Sequence, residues 1–135
     1  MSASVVLRIP ADPAMSRVAR LAAGGLASLH ALDVDQIEDV KIAVSEIILA
    51  LIEHGEGNDI SLTFGTDPSG SDGSNASAVS PSLVVMGSTS CAAFDATSPE
   101  LDLCHAVLSG VSRSYSISST GEGAEIRVVL PGEPA

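Results

Sequence analysis

One carboxylate in this chain stands where chemistry could be done. Glu46 lies within DVDQIEDVKIAVSEIILALIEHG, residues 33 to 55. In that run Ile37, Val40, Val44, Ile47, Ile48 and Leu51 recur at helical spacing and form one apolar stripe. At about 100° per residue, Glu46 points away from the stripe, between Ala43 and Ala50 and near Asp39 and Glu53. Ile42 and Leu49 lie on the flank beyond it, so the helix is expected to be covered on more than one side. A carboxyl on such a helix is a group that can take a proton. On an outward face it is only a solvated glutamate, and the helix by itself leaves both readings open. The remaining candidates are weaker. Cys91 and Cys104 match no zinc spacing, and His30, His54 and His105 are scattered, so no metal site is expected. Cys104 reads as a packed, reduced thiol beside a surface His105. Cys91, in a small-residue stretch, could be exposed, but no basic neighbour is visible to lower its pKa. His54 closes the helix, where an imidazolium suits the C-terminal dipole, so a structural use is expected of it.

The elements that must position Glu46 follow from punctuation and periodicity. Asp33 with Gln36 makes a capping-box-like start for the central helix, and Gly55 a stop. Before it, residues 5 to 9 read as a strand closed by Pro10. Asp12-Pro13 then opens a helix with Met15, Val18, Ala22, Leu26 and Leu29 on one face. Gly24-Gly25 weakens this helix by about 1 kcal/mol per glycine, so it either kinks there or is closely packed. Ile60, Leu62 and Phe64 alternate in a half-buried strand. Residues 66 to 82, rich in Ser, Gly, Asp and Pro, read as a mobile loop joining two strands. Leu83 to Met86 is an apolar strand, followed by the loop GSTSCAAFDATSPE and a short helix from about Pro99 to Leu108 with Gly110 as its stop. Tyr115 and Ile117 mark the next strand, Gly121-Glu122-Gly123 a hairpin turn, and Ala124, Ile126, Val128 and Leu130 the last strand. The expected fold is a single-domain (residues 1–135) α/β (α+β) two-layer sandwich, a mixed but mostly antiparallel sheet with helices on one face.

Composition bounds the partners. The chain has 135 residues, 45% of them apolar, with one Tyr, two Phe and no Trp, so its core is aliphatic. Seventeen acidic against six basic residues give a formal charge of −11, which argues against nucleic acid and against an anionic membrane surface. A basic protein patch is the natural counterpart. With no signal peptide and no apolar run of spanning length, a cytoplasmic protein is expected.

The order of elements, with EDVKIAVSEIILALIEHG in the central helix, resembles the histidine-kinase-like (GHKL) ATPase family, and within it the anti-sigma-factor serine kinases of bacterial partner switching. The resemblance runs from LRIPAD to the final VVLP, and its specific part is the central helix. It implies a sandwich fold, ATP and magnesium as cofactors, and a sigma factor and an anti-anti-sigma antagonist as partners. A homodimer is among the assemblies it implies. The family helix carries a glutamate, which activates the attacking group, and four residues later an asparagine that holds magnesium. Glu46 matches the first; Ala50 stands at the second, and a methyl group offers magnesium no oxygen. The family's Asp-x-Gly-x-Gly motif, counted back from Phe94-Asp95, falls on Thr89, Cys91 and Ala93. Its Gly-x-Gly-Leu phosphate lid, set by Leu101 and Leu103, falls on Ser98 and Glu100. Backbone N–H groups freed by glycine would meet phosphate; a carboxylate there repels it.

Three readings follow. In the first, the chain is a degenerate relative that regulates by protein binding, with its ATP site lost, no cofactor expected and no chemical use for Glu46. In the second, it is an active ATP-dependent serine kinase and anti-sigma factor with Glu46 as its catalytic base. In the third, it is a small regulatory α/β domain whose similarity is accidental. The motif chemistry favours the first.

Overall fold

The computed structural model describes residues 4–66, 82–91 and 93–132. The loop expected over residues 66 to 82 lies, from 67 to 81, outside them. In chain order the elements are β1 (Ser4–Ile9), α1 (Met15–Ser28), α2 (Val34–His54), β2 (Ile60–Thr66), β3 (Leu83–Ser90), a 3-10 turn (Pro99–Leu101), α3 (Asp102–Val111), β4 (Ser114–Ser119) and β5 (Gly123–Leu130). The five strands form one sheet in the order β1-β2-β3-β5-β4, backed by the helices in a two-layer α+β sandwich.

All four strand pairings are antiparallel, in keeping with the mostly antiparallel sheet expected and without its mixed part. The reason lies in the connections. Two helices separate β1 from β2, so the chain goes out and back and β2 runs against β1. One helix separates β3 from β4, which makes those two strands parallel, but β5 inserts between them and is antiparallel to both. The parallel pair therefore never shares a ladder.

Side chains alternate across the sheet with period two. Ile60, Leu62, Phe64, Leu83, Val85, Ile126, Val128 and Leu130 face the helices and are buried. α2 is the hub of the helical layer, lying against β3 and β5 and between α1 and α3. Its stripe is buried as the periodicity requires: Val40, Val44, Ile47, Ile48 and Leu51 are at most 1% exposed. The capping box forms fully. The Asp33 carboxylate accepts from Gln36 N–H, and the Gln36 side-chain oxygen accepts from Asp33 N–H.

α1 differs from expectation in two ways. Its buried face is the alanine ridge Ala19, Ala23 and Ala27, whereas Val18, Leu21 and Leu29 are exposed. Alanines four apart let α1 settle close on α2, and that close approach leaves the bulkier side chains outside. The helix also begins at Met15, after a turn in which the Asp12 carboxylate accepts from Ala14 N–H rather than capping the helix itself. α1 runs unbroken through its glycine pair. The Lys41 stem lies against Gly24, where an added Cβ would come within 2.8 Å of Cε.

Two later elements are longer than the sequence suggested. β3 continues through Gly87, Ser88, Thr89 and Ser90, residues that read as loop. Small side chains conceal a strand because they carry little β signal, yet Gly87, Ser88 and Thr89 pair with both β2 and β5, and Ser90 pairs with β5. α3 passes through Gly110 and ends at Val111. Among the described residues, no helix is long and apolar enough to cross a membrane.

Candidate functional site

The C-terminal half of α2 and the turn that opens α3 come together in a cleft. Glu46, Leu49, Ala50, Glu53 and His54 line it from α2, and Glu100, Leu101, Leu103 and Cys104 from the other side. Its volume is about 90 Å³. Glu46 and Ala50, four residues apart on α2, therefore share one site with the sequence-distant Glu100.

The electrostatics of this cleft are one-sided. Glu46, Glu53 and Glu100 all border it, and among the described residues neither Glu46 nor Glu53 has a basic partner. Glu100 lies 3.9 Å from His54 Nδ1. Burial lifts the Glu46 carboxyl above the ordinary glutamate range, and the Glu53 charge raises it further. Cys104 is pushed up to about 11, first by burial and then by the charges of Glu46 and Glu53. It is a buried thiol, as expected, and stays protonated at neutral pH.

Ala50 is 4% exposed and brings only a methyl group to this wall. Ser98 and Glu100 serve local structure. The Ser98 hydroxyl accepts from Glu100 N–H at 3.2 Å and caps the 3-10 turn, with Pro99 in its first position. His54 has a side chain 14% exposed and meets Phe94 edge-on, with ring centroids 6.2 Å apart, which fits the structural use expected of it.

The other singled-out residues lie away from the cleft lining. Thr89 sits in β3, largely buried, and its hydroxyl donates to the Asp59 carbonyl at 2.9 Å. Cys91 is 2% exposed, and its thiol donates to the His54 carbonyl at 3.4 Å, so the exposed, reactive cysteine the sequence allowed is not found. Ala93 is exposed in the following turn. His105 is half-buried rather than a free surface imidazole, and its Nδ1 shares a 2.9 Å hydrogen bond with the Tyr115 hydroxyl. Cys91 thus ties the end of β3 to the end of α2, the same corner that the His54–Phe94 contact fills, while Thr89 ties β3 to the segment that leads into β2.

Sequence reasoning missed two features. Gly87 in β3 lies directly beneath α2; an added Cβ would collide with Ile47 and come within 3.2 Å of Leu51 and 3.3 Å of Leu62. The only signal was one glycine after an apolar run. The second is that Ile42 and Leu49, expected to be covered, are each 43% exposed, with Leu103 at 69%. α3 covers the adjoining flank of α2 and stops short of these side chains.

These features define a two-layer sandwich whose central helix carries a half-buried glutamate at an acidic cleft. No protein-family model matches the chain. A stretch of 65 residues, 45% of this chain, is 35% identical to the Serine-protein kinase RsbW of Oceanobacillus iheyensis. Over the same length it is 34% identical to the Serine-protein kinase RsbW of Bacillus subtilis and 38% identical to that of Bacillus velezensis. The similarity spans 41% of the length of each of these curated relatives.

Proposed function

We propose that this chain is an anti-sigma-factor-like regulator that acts by binding protein partners in a bacterial partner-switching system, without using ATP. Support for the setting comes from the partial similarity to serine-protein kinases of the RsbW type. The loss of nucleotide use rests on one observation: the cleft beside Glu46 turns carboxylates toward phosphate, which needs cations and N–H groups, and brings the Ala50 methyl where the family has its magnesium-holding amide oxygen. The reading places the protein in the cytoplasm, with a sigma factor or an anti-anti-sigma antagonist as partner.

Glu46 favours a second reading, an ATP-dependent serine kinase. It keeps the position of the family's glutamate, and its raised pKa suits a proton acceptor. Two assays decide between them. Under the first reading, candidate sigma or antagonist proteins co-purify with the chain, and no phosphate passes from ATP to a serine of the antagonist. Transfer by the natural chain that Glu46→Ala abolishes would overturn it. Sedimentation of the same samples reports whether two copies pair.

A further inference from the structure

The solvent-facing ridge of α2 is apolar and acidic in alternation. Ile42, Glu46, Leu49 and Glu53 fall at i, i+4, i+7 and i+11, so they lie along one face. Ile42 and Leu49 are each 43% exposed, and Leu103 on α3, 69% exposed, stands across the cleft from Leu49. Glu100 adds a third carboxylate with its side chain 79% exposed. Exposed leucines facing each other across a groove mark a surface built to be covered. The carboxylates fix what can cover it. An anionic membrane or a nucleotide phosphate would meet like charge, whereas Lys or Arg would find in Glu46 and Glu53 two acceptors that have no ion-pair partner among the described residues.

We propose that the α2–α3 groove, centred on Leu49 and Leu103 and flanked by Glu46, Glu53 and Glu100, docks a basic amphipathic helix of a second protein. The apolar side chains of that helix seat between the two leucines, and its Arg or Lys side chains reach the carboxylates. Glu46, without a chemical use in a binding module, acquires one here as an ion-pair acceptor. This deepens the protein-binding reading above and rests on it, since a nucleotide in the cleft would compete for the same walls.

The test uses the full chain and a synthetic amphipathic helix of leucine and arginine, with a leucine–glutamate helix as its counterpart. Fluorescence anisotropy at low salt should show binding of the arginine helix alone. Leu49→Ala should weaken it about fivefold or more, the level expected of a central interface residue. Glu53→Gln should weaken it about two- to threefold and flatten its salt dependence. Glu125→Gln removes the same charge from the opposite face of the sheet and should change nothing. Leu49 is half-exposed on a helix and alanine is a good helix former, so an unchanged thermal melt verifies the fold of the variant. Equal losses in Glu53→Gln and Glu125→Gln would reduce the effect to overall charge and overturn the site. Binding of both helices, or of neither, would also overturn it, even if a sigma or antagonist protein co-purified; that case would leave the protein-binding reading standing on another surface. Self-association abolished by Leu49→Ala would assign the groove to a second copy and overturn the basic-helix proposal.

Discussion

Gly87→Ala places one methyl group at the closest contact between α2 and the sheet. Gly87 lies in β3, flanked by Leu62 of β2 and Ile126 of β5, with Ile47 and Leu51 of α2 directly above. The new Cβ would overlap Ile47 and stand 3.2 Å from Leu51 Cδ1 and 3.3 Å from Leu62 Cδ2. Ile47 and Leu62 are fully buried and Leu51 is 1% exposed, so none can swing into solvent. Relief requires α2 to lift or Ile47 to leave its rotamer, and overpacking of this kind costs about 1–3 kcal/mol. For a domain of this size about 2 kcal/mol corresponds to a fall in Tm of roughly 6–10 °C. Thermal unfolding followed by circular dichroism measures it. Ile47→Ala alone should cost about 2–5 kcal/mol through the cavity it leaves. Combined with Gly87→Ala it should cost less than the sum of the two, because the methyl then occupies vacated space. A Gly87→Ala protein that melts with the parent, or a pair of substitutions additive within about 0.5 kcal/mol, would refute the packing argument.

Three other expectations follow from the site. Calorimetry at millimolar ATP or ADP with magnesium should show weak binding or none, and Ala50→Asn alone should not restore it while Glu100 and Ser98 remain; a micromolar dissociation constant for the natural chain would favour the kinase reading. With its pKa raised in the folded state, Glu46 costs stability as pH rises above the unfolded value near 4.5, and the full penalty is present above the folded value. Glu46→Gln should therefore raise the denaturant midpoint near pH 7, with the gain shrinking as pH falls through that window; a gain that persists at lower pH would contradict the assignment. Both thiols should resist Ellman's reagent in the native protein and react fully once it is denatured, because both are buried and at pH 8 only about one Cys104 thiol in a thousand is ionised.

What was readable in advance depended on bulk. The large apolar side chains of α2, β2 and β5 announce their burial by period, and the Asp33–Gln36 box announces where α2 starts. Small side chains do not announce themselves. The alanine ridge of α1 and the Gly87–Ser90 half of β3 are determined by what packs against them, which no local window contains. The site followed the same rule. Counting four residues from Glu46 to Ala50 sufficed to place both on one wall, and the 3-10 turn before α3 brought Glu100 opposite them. The positions of Thr89 and Cys91 depended on β3 running to Ser90, so their hydrogen bonds to Asp59 and His54 could not be seen from the sequence.

The placement of β5 between β3 and β4 bears on how the chain is made. The strand synthesised after all the others fills an interior position of the sheet. Until the ribosome has released residues through Leu130, β3 displays its LVV segment along an open edge, and β4 has no neighbour among the described strands. Every molecule therefore passes through an interval in which the central half of its sheet is a template for another chain. The interval ends only when the last strand slots in. Shortening it by faster release, or shielding it with a chaperone, should raise the soluble yield.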